Sequence, residues 1–128
     1  MKLTFPKKER LTSKKTIDRL FTEGKNFSAF PLVLKYELSS TAEVVEPLVQ
    51  IAISVPKRKV KFAVDRNRLK RQLREAYRLN KSQLLEKVNK LNQSLALFLI
   101  YNGGETADYH LLETKLKVLL NKVENLIE

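Results

Sequence analysis

The first helical pattern in the chain lies between Ser13 and Gly24. Ile17, Leu20 and Phe21 are spaced three and four positions apart, which places them on one face of a helix. Ser13 precedes the pattern, where its hydroxyl can accept a hydrogen bond from a backbone N–H of the first turn, and Gly24 follows it. We therefore predict a short helix with Ser13 as its N-cap and Gly24 at its end.

Apolar and polar residues alternate in two later segments, which predicts strands with one buried face. The alternation runs from Phe30 to Leu38 and again from Val49 to Val55. We expect these two strands to be antiparallel, with residues 39–47 as the loop between them. Residues 95–101 form a continuous apolar run, which is typical of a third strand that is covered on both faces.

Two further helices are predicted. The first covers residues 62–79, and its helical period continues to about Asn92, with or without a kink near Asn80. Its apolar stripe, which we expect to face the core, consists of Phe62, Leu69, Leu73 and Ala76. The last helix opens between Thr106 and Asp108, and its apolar positions continue to Ile127.

The predicted order of elements is helix, strand, strand, helix, strand, helix. This order favours a single-domain α+β fold over residues 1–128, an α/β sandwich in which the second helix packs on a small mixed sheet. If the second and third strands lie parallel on either side of that helix, a right-handed crossover is the usual connection.

Nearly all of the net charge belongs to one segment, from Pro56 to Lys81. This segment contains 11 of the 25 Lys and Arg residues but only two of the 14 acids, and it carries +9 of the chain's formal +11. Lys70, Arg74 and Arg78 recur at every fourth position of the helix, in an arc without an acid. Most charged helix faces are simply solvated, but an arc of one sign repels itself, and a polyanion would remove that repulsion. We therefore favour a nucleic-acid partner.

Residues that catalyse hydrolysis or bind metals are scarce. The chain has no cysteine and one histidine, His110, which we expect to be exposed or capping at the start of the last helix. The acids are scattered, and Asp65 is more typical of a helix start or an Arg partner than of a catalyst. No apolar run suits a membrane span or a signal peptide. We predict no catalytic residue and no protein-bound metal, and a cytoplasmic location, which the lack of cysteine also fits.

The run ISVPKRKVKFAVDRNRLKRQLREAYR, residues 53–78, resembles the signature of the bacterial ribonuclease P protein subunit. The matching parts are an Arg-Asn-Arg core at 66–68 after a strand and a basic loop, then Lys-Arg at 70–71 and Arg-Glu-Ala at 74–76. Residues 11–24 and the strand that follows are also similar to the family. After Leu79 the resemblance extends only to the type and order of the elements.

This resemblance implies an α/β sandwich with an unusual left-handed crossover, which we adopt in place of the right-handed default. It also implies the small subunit of a ribonucleoprotein endonuclease that removes the 5′ leader from precursor tRNA. The RNA subunit would carry the active site, with Mg²⁺. The expected partners are the ribonuclease P RNA and precursor tRNA with its leader, and the protein alone is expected to be monomeric.

The charge and the resemblance together select one set of RNA-binding residues, in the loop before the basic helix and on the helix itself. They are Lys57, Arg58, Lys59, Lys61, Arg66, Asn67, Arg68, Lys70, Arg71, Arg74 and Arg78. The planar fork of donors in Arg matches phosphate oxygens, and Asn67 can bond a base edge or a sugar hydroxyl. Lys61 stands where the family commonly has glycine, and the loop before Ala63 is one residue longer.

The resemblance further implies a cleft between the sheet and the first helix that holds the single-stranded leader. Phe21 matches an aromatic residue of this cleft, and Ile17 stands where the family usually has Phe. Either Lys35 or Tyr36 matches an aromatic residue on the strand. We favour Tyr36 because it shares a strand face with Leu34.

Three other functions stay open at this point. A general structured-RNA-binding protein, of ribosomal or ribosome-assembly type, would have the same charge but no need for the ordered motif. A DNA-binding regulator would need a companion helix just before the basic one, where residues 51–56 favour a strand. A nuclease acting without RNA would need the clustered carboxylates or histidines that the chain lacks.

Overall fold

The computed structural model describes residues 5–39, 48–91, 93–104 and 107–127. Most of the predicted loop at 39–47, the predicted helix end at Asn92 and the predicted helix start at Thr106 lie outside these ranges. After a short 3-10 turn, the elements are α1 (Lys14–Glu23), β1 (Lys25–Ala29), β2 (Leu32–Ser39), β3 (Val49–Ser54), α2 (Ala63–Asn80), α3 (Ser82–Leu91), β4 (Ser94–Tyr101) and α4 (Tyr109–Leu126).

The four strands form one mixed sheet in the order β1-β2-β4-β3. β1 pairs with β2 and β2 with β4 in antiparallel fashion, whereas β3 and β4 are parallel. This arrangement confirms the predicted α+β sandwich. The two strands predicted as antiparallel, β2 and β3, do run in opposite directions, but β4 lies between them. The crossover from β3 to β4 contains both α2 and α3, and its hand stays a prediction.

The sequence pattern missed one strand, and of the two alternatives it left for residues 62–92 the structure has the one with a break near Asn80. β1 was not predicted because it contains a single large apolar residue, Phe27, and most of its side chains are exposed. Phe30 and Pro31, predicted as the start of a strand, form the turn between β1 and β2 instead. The long helix divides at Lys81, which is buried and donates a 2.7 Å hydrogen bond from Nζ to Oε1 of Glu9.

The two faces of the sheet differ in how they are covered. Leu32, Leu34 and Tyr36 of β2 lie on the face covered by α2 and α4, where they join one hydrophobic core to which α3 also contributes. We call this the closed face. Alternate residues such as Lys35 and Glu37 lie on the other side, which we call the open face, where α1 packs against β2 and β4. None of the helices in the described ranges is long and apolar enough to cross a membrane.

The local signals that predicted α1 are confirmed. The Thr16 N–H donates a 3.3 Å hydrogen bond to the Ser13 hydroxyl, which caps the helix. Gly24 follows the last turn with extended backbone angles, and a Cβ at this position would collide with the carbonyl oxygen of Leu20. Glycine is therefore needed here for close approach and not for a left-handed conformation. Leu20 is fully buried and attaches the helix to the sheet.

Candidate nucleic-acid interface

Helix α2 divides into a buried stripe and a cationic side. Its fully buried residues are Leu69, Leu73, Ala76 and Tyr77. The predicted RNA-binding residues lie outside this stripe, on the helix or in the loop before it, and together we call them the cationic surface. Seven are exposed, Lys57, Arg58, Lys59, Lys61, Asn67, Arg71 and Arg74, and four are half-buried, Arg66, Arg68, Lys70 and Arg78.

The basic loop before α2 has a fixed backbone. The N–H groups of Lys59 and Val60 both donate to the carbonyl oxygen of Pro56, each at 3.1 Å. Val60 is fully buried and anchors the loop to the core. This anchor leaves the side chains of residues 57–59 in solvent, where they can approach a polyanion without being drawn away from other partners.

Arg66 has a positioning role within this surface. Its Nη1 donates hydrogen bonds to the carbonyl oxygens of Val60, at 3.0 Å, and Lys61, at 2.9 Å. These bonds tie the basic loop to the first turn of α2. Arg66 therefore helps to hold the cationic surface in one arrangement.

Two arginines of the cationic surface already have acidic partners. Arg68 lies 3.8 Å from Asp65, which confirms the prediction that Asp65 pairs with an arginine at the helix start. Arg78 forms a hydrogen-bonded ion pair with Glu75, one turn earlier on α2. The arc itself contains no acid, but Glu75 on its flank partly neutralises its C-terminal end. The strongest unbalanced charge lies nearer the N-terminal half of α2.

A second surface lies on the open face, between α1 and the sheet. The ring of Phe21 is 51% exposed and meets the ring of Phe98 edge-on, with 5.1 Å between the centroids. The Nζ of Lys35 lies 5.2 Å from the centroid of Phe21, over the ring. Ile17 lies one turn earlier on α1 and is half-buried. We call these four residues the aromatic surface.

The structure corrects the choice of Tyr36 for this surface. Tyr36 does share a strand face with Leu34, as predicted, but that face is the closed one. Its ring is only 7% exposed and stacks on Phe27 with a centroid distance of 5.1 Å, and burial raises the pKa of its hydroxyl. Lys35 and Phe98 reach the open face instead. Phe98 was missed because the continuous apolar run of β4 does not distinguish one face from the other.

Arg19 and Glu37 fix α1 onto the sheet beside the aromatic surface. The Nε of Arg19 donates to both carboxylate oxygens of Glu37, at 2.7 and 2.9 Å. This hydrogen-bonded contact raises the pKa of the Arg19 guanidinium above its ordinary value. The pair sets the distance between the helix and the strand, and so the position of Phe21.

Phe62 is placed differently from the prediction. It was assigned to the buried stripe of the basic helix, but it is 57% exposed. It precedes the first helical residue and has extended backbone angles, so the helical phase that would turn it inward does not apply. Its ring lies instead beside Lys61 of the cationic surface, whose Nζ is 5.8 Å from the ring centroid.

Acidic side chains do not converge in the part of the chain that the structure describes. No group of three or more His, Asp or Glu residues there could hold a metal ion. His110 is exposed on the first turn of α4, as predicted. The carboxylates of these residues therefore do not assemble the several oxygen ligands around one point that Mg²⁺ prefers.

Comparison with known proteins gives a consistent result. The family model described as ribonuclease P matches residues 5–124. The ribonuclease P protein component of Porphyromonas gingivalis is 33% identical over 117 residues, covering 91% of this chain and 84% of that protein. The protein of the same name from Chlorobium phaeobacteroides is 32% identical over 125 residues, covering 91% and 86%.

Solved structures share the fold. The RNase P protein of Staphylococcus aureus superposes with a TM-score of 0.69 at 20% identity, covering 90% of this chain and 94% of that one. The RNase P protein of Thermotoga maritima gives a TM-score of 0.68 at 24% identity, covering 89% and 96%.

Proposed function

Because this chain belongs to the ribonuclease P protein family, we propose that it binds the catalytic RNA of that enzyme and the 5′ leader of precursor tRNA. The observation that carries this proposal is the presence of two different surfaces on different sides of one sheet. A cationic surface lies on α2 and its preceding loop, and an aromatic surface lies between α1 and the open face. One small protein can thus contact two RNA segments at once.

The cationic surface would bind the RNA subunit. Arg71 and Arg74 point outward on α2, so their guanidinium groups are free to approach phosphate oxygens in bidentate fashion. Lys57 and Lys59 extend the positive charge along the loop. Asn67, exposed on the same side, has both a donor and an acceptor for a base edge or a sugar hydroxyl. Such contacts release counterions, and binding should weaken steeply with salt.

The aromatic surface would bind the single-stranded leader. Unpaired bases stack on aromatic side chains with little preference for sequence, which suits a leader that differs from one precursor to the next. Phe21 offers an exposed ring, and Lys35 lies within reach of a phosphate beside a base stacked there. Ile17 supplies an apolar wall in place of a further ring.

In this proposal the protein positions RNA and the RNA subunit performs the cleavage. Mg²⁺ held by the RNA would stabilise the charge that develops at the phosphate. The described acids of this chain do not form a site that suits Mg²⁺, so no step of the reaction is assigned to its side chains. The proposal places a monomeric protein in the cytoplasm, assembled with its RNA.

The decisive experiment is cleavage of precursor tRNA by the cognate ribonuclease P RNA at low Mg²⁺, with and without this protein. We expect strong stimulation by the protein and no cleavage by the protein alone. Mature tRNA, which has no leader, should bind the holoenzyme less tightly than precursor tRNA with its leader. No stimulation, together with tight binding to other structured RNAs, would contradict the proposal and favour a general RNA-binding protein.

A further inference from the structure

Phe62 holds an exposed aromatic ring within the cationic surface. Its side chain and that of Val64, two positions later, are 57% and 78% exposed. The ammonium group of Lys61 is the close neighbour of the ring, and no aromatic pair among the described residues includes Phe62. An exposed apolar ring thus lies beside a lysine ammonium group in the segment that carries +9 of the chain's net charge.

Neither helix capping nor core packing explains a Phe at this position. Phe62 is the N-cap of α2, with φ −94° and ψ 136°, and its side chain caps no backbone N–H. Ser, Thr, Asn and Asp are favoured at N-caps because their side-chain oxygens accept hydrogen bonds from the first turn. A Phe forgoes that stabilisation, and an exposed ring gains little from burial.

The backbone around Phe62 is held rigidly. Val60, two residues before it, is buried, and Arg66 Nη1 bonds the carbonyl oxygens of Val60 and Lys61. The Arg66 N–H also donates a 3.0 Å hydrogen bond to the carbonyl oxygen of Phe62 itself. A ring presented from a fixed backbone loses less conformational entropy when a ligand covers it.

We propose that Phe62 stacks on an unpaired base of the bound RNA, while neighbouring lysines contact the phosphates on either side of that base. The inference rests on the proposed function, and it names the kind of RNA segment that the cationic surface recognises. A flat aromatic ring with adjacent positive charge matches a base and its flanking phosphates. Bases inside an A-form helix are already stacked, so the site selects a loop, a bulge or a single strand.

The first test compares Phe62→Asn and Phe62→Tyr with the unsubstituted protein. Asn removes the ring but adds a favourable N-cap, so the melting temperature should be unchanged or slightly higher. Affinity for the cognate ribonuclease P RNA should nevertheless fall about 5- to 150-fold, the range expected for losing one stacked base. The salt dependence should not change, because no charge is removed. Phe62→Tyr keeps the ring and should bind within about threefold of the unsubstituted protein.

Two outcomes would overturn the role of Phe62. One is unchanged affinity in Phe62→Asn, and the other is an equal loss in Phe62→Tyr. If the unsubstituted protein still stimulates precursor cleavage, either outcome removes this inference and leaves the proposed function intact. Loss of stimulation by the unsubstituted protein itself would instead count against the proposed function.

A second test detects stacking without the RNA subunit. The chain contains no tryptophan, so Phe62→Trp introduces a single tryptophan, which can be excited selectively over the four tyrosines. We expect its fluorescence to be quenched by a single-stranded RNA oligonucleotide and not by a duplex of the same sequence. The matched control is Leu126→Trp, since Leu126 is 53% exposed at the end of α4, and its fluorescence should stay constant. Equal responses to the single strand at both positions, or no quenching at position 62, would contradict the inference.

Discussion

Two neighbouring residues of β4 show how differently the two faces of the sheet are used. Leu97 points to the closed face and has no exposed surface, whereas Phe98 points to the open face and is only half-buried. Helices α2 and α4 pack on the first face and α3 packs against α4, whereas α1 packs on the second face. The closed face therefore supplies most of the stability, and the open face leaves aromatic area available for a ligand.

The largest expected effect is on the closed face. Leu97→Ala should lower the free energy of unfolding by about 2–5 kcal/mol, because it leaves a cavity among fully buried side chains. Phe98→Ala, one residue away, should lower it by only about 1–2 kcal/mol, since part of the ring is already in contact with water. Urea denaturation of both variants measures the difference. Equal losses would show that the two faces contribute equally to the core.

The next effect concerns binding on the open face. Phe21→Ala should weaken binding of leader-bearing precursor tRNA to the holoenzyme by about 5- to 150-fold, through the loss of one stacking platform. Its effect on stability should be small, because half of the ring is exposed. Mature tRNA, which has no leader, serves as the control ligand. An equal loss for both ligands would mean that Phe21 has a packing role.

A smaller effect, on the salt dependence of RNA binding, should distinguish an arginine of the cationic surface without an acidic partner among the described residues from one that has such a partner. Arg71→Ala should reduce the slope of log affinity against log salt for the RNA subunit by about 0.7–0.9, as one phosphate contact is lost. Arg78→Ala should change the slope less, because Glu75 already offsets part of its charge. Binding titrations over a series of salt concentrations would reveal the difference. Identical slopes in both variants and the parent would show that α2 is not the electrostatic contact.

The smallest expected effect is a change in stability with pH, caused by the buried carboxylate of Glu124 on α4. Burial raises the pKa of Glu124 above its ordinary value of 4.5, although the nearby charge of Lys87 acts in the opposite direction. The folded protein thus binds this proton more readily than the unfolded chain, and stability is lost as pH rises through the raised value. Glu124→Gln should therefore be slightly more stable at neutral pH.

This advantage should disappear below about pH 4, where the carboxyl group is protonated in both states. Thermal unfolding at several pH values measures it. Glu86→Gln is the matched control because it removes the same charge from a side chain that is exposed on α3. A gain of the same size in the control would point to net charge and not to burial.

Elements with a clear apolar periodicity and capping residues could be predicted from the sequence. Elements that form only by pairing with a neighbouring strand could not. Helix α1 combines a periodic apolar face with a cap at each end, and its bounds follow from these local signals. β1 has only Phe27 to bury and forms because β2 offers a complete row of hydrogen-bonding groups. Its existence is a property of the sheet more than of the segment.

At the candidate site, the sequence predicted which residues share a face, but not which face is buried. Alternation correctly grouped Tyr36 with Leu34, but only the packing of three helices decides which face is closed. Helical phase correctly placed Leu69 and Leu73, but extending it back to Phe62 crossed the N-cap, where the backbone angles change. Charge alone does not decide exposure either, because Lys81 of the same segment is buried and bonded to Glu9.

The central position of β4 has a consequence for how the protein is made. β4 contains residues 94–101, so β2 and β3 have no common neighbour in the sheet until most of the chain has left the ribosome. The basic loop and α2 are synthesised earlier, yet the crossover that holds them closes only when β4 pairs with β3. Contacts over such a sequence separation form slowly, because a long loop must be ordered first. A nascent chain would therefore present its cationic segment before it presents a folded surface.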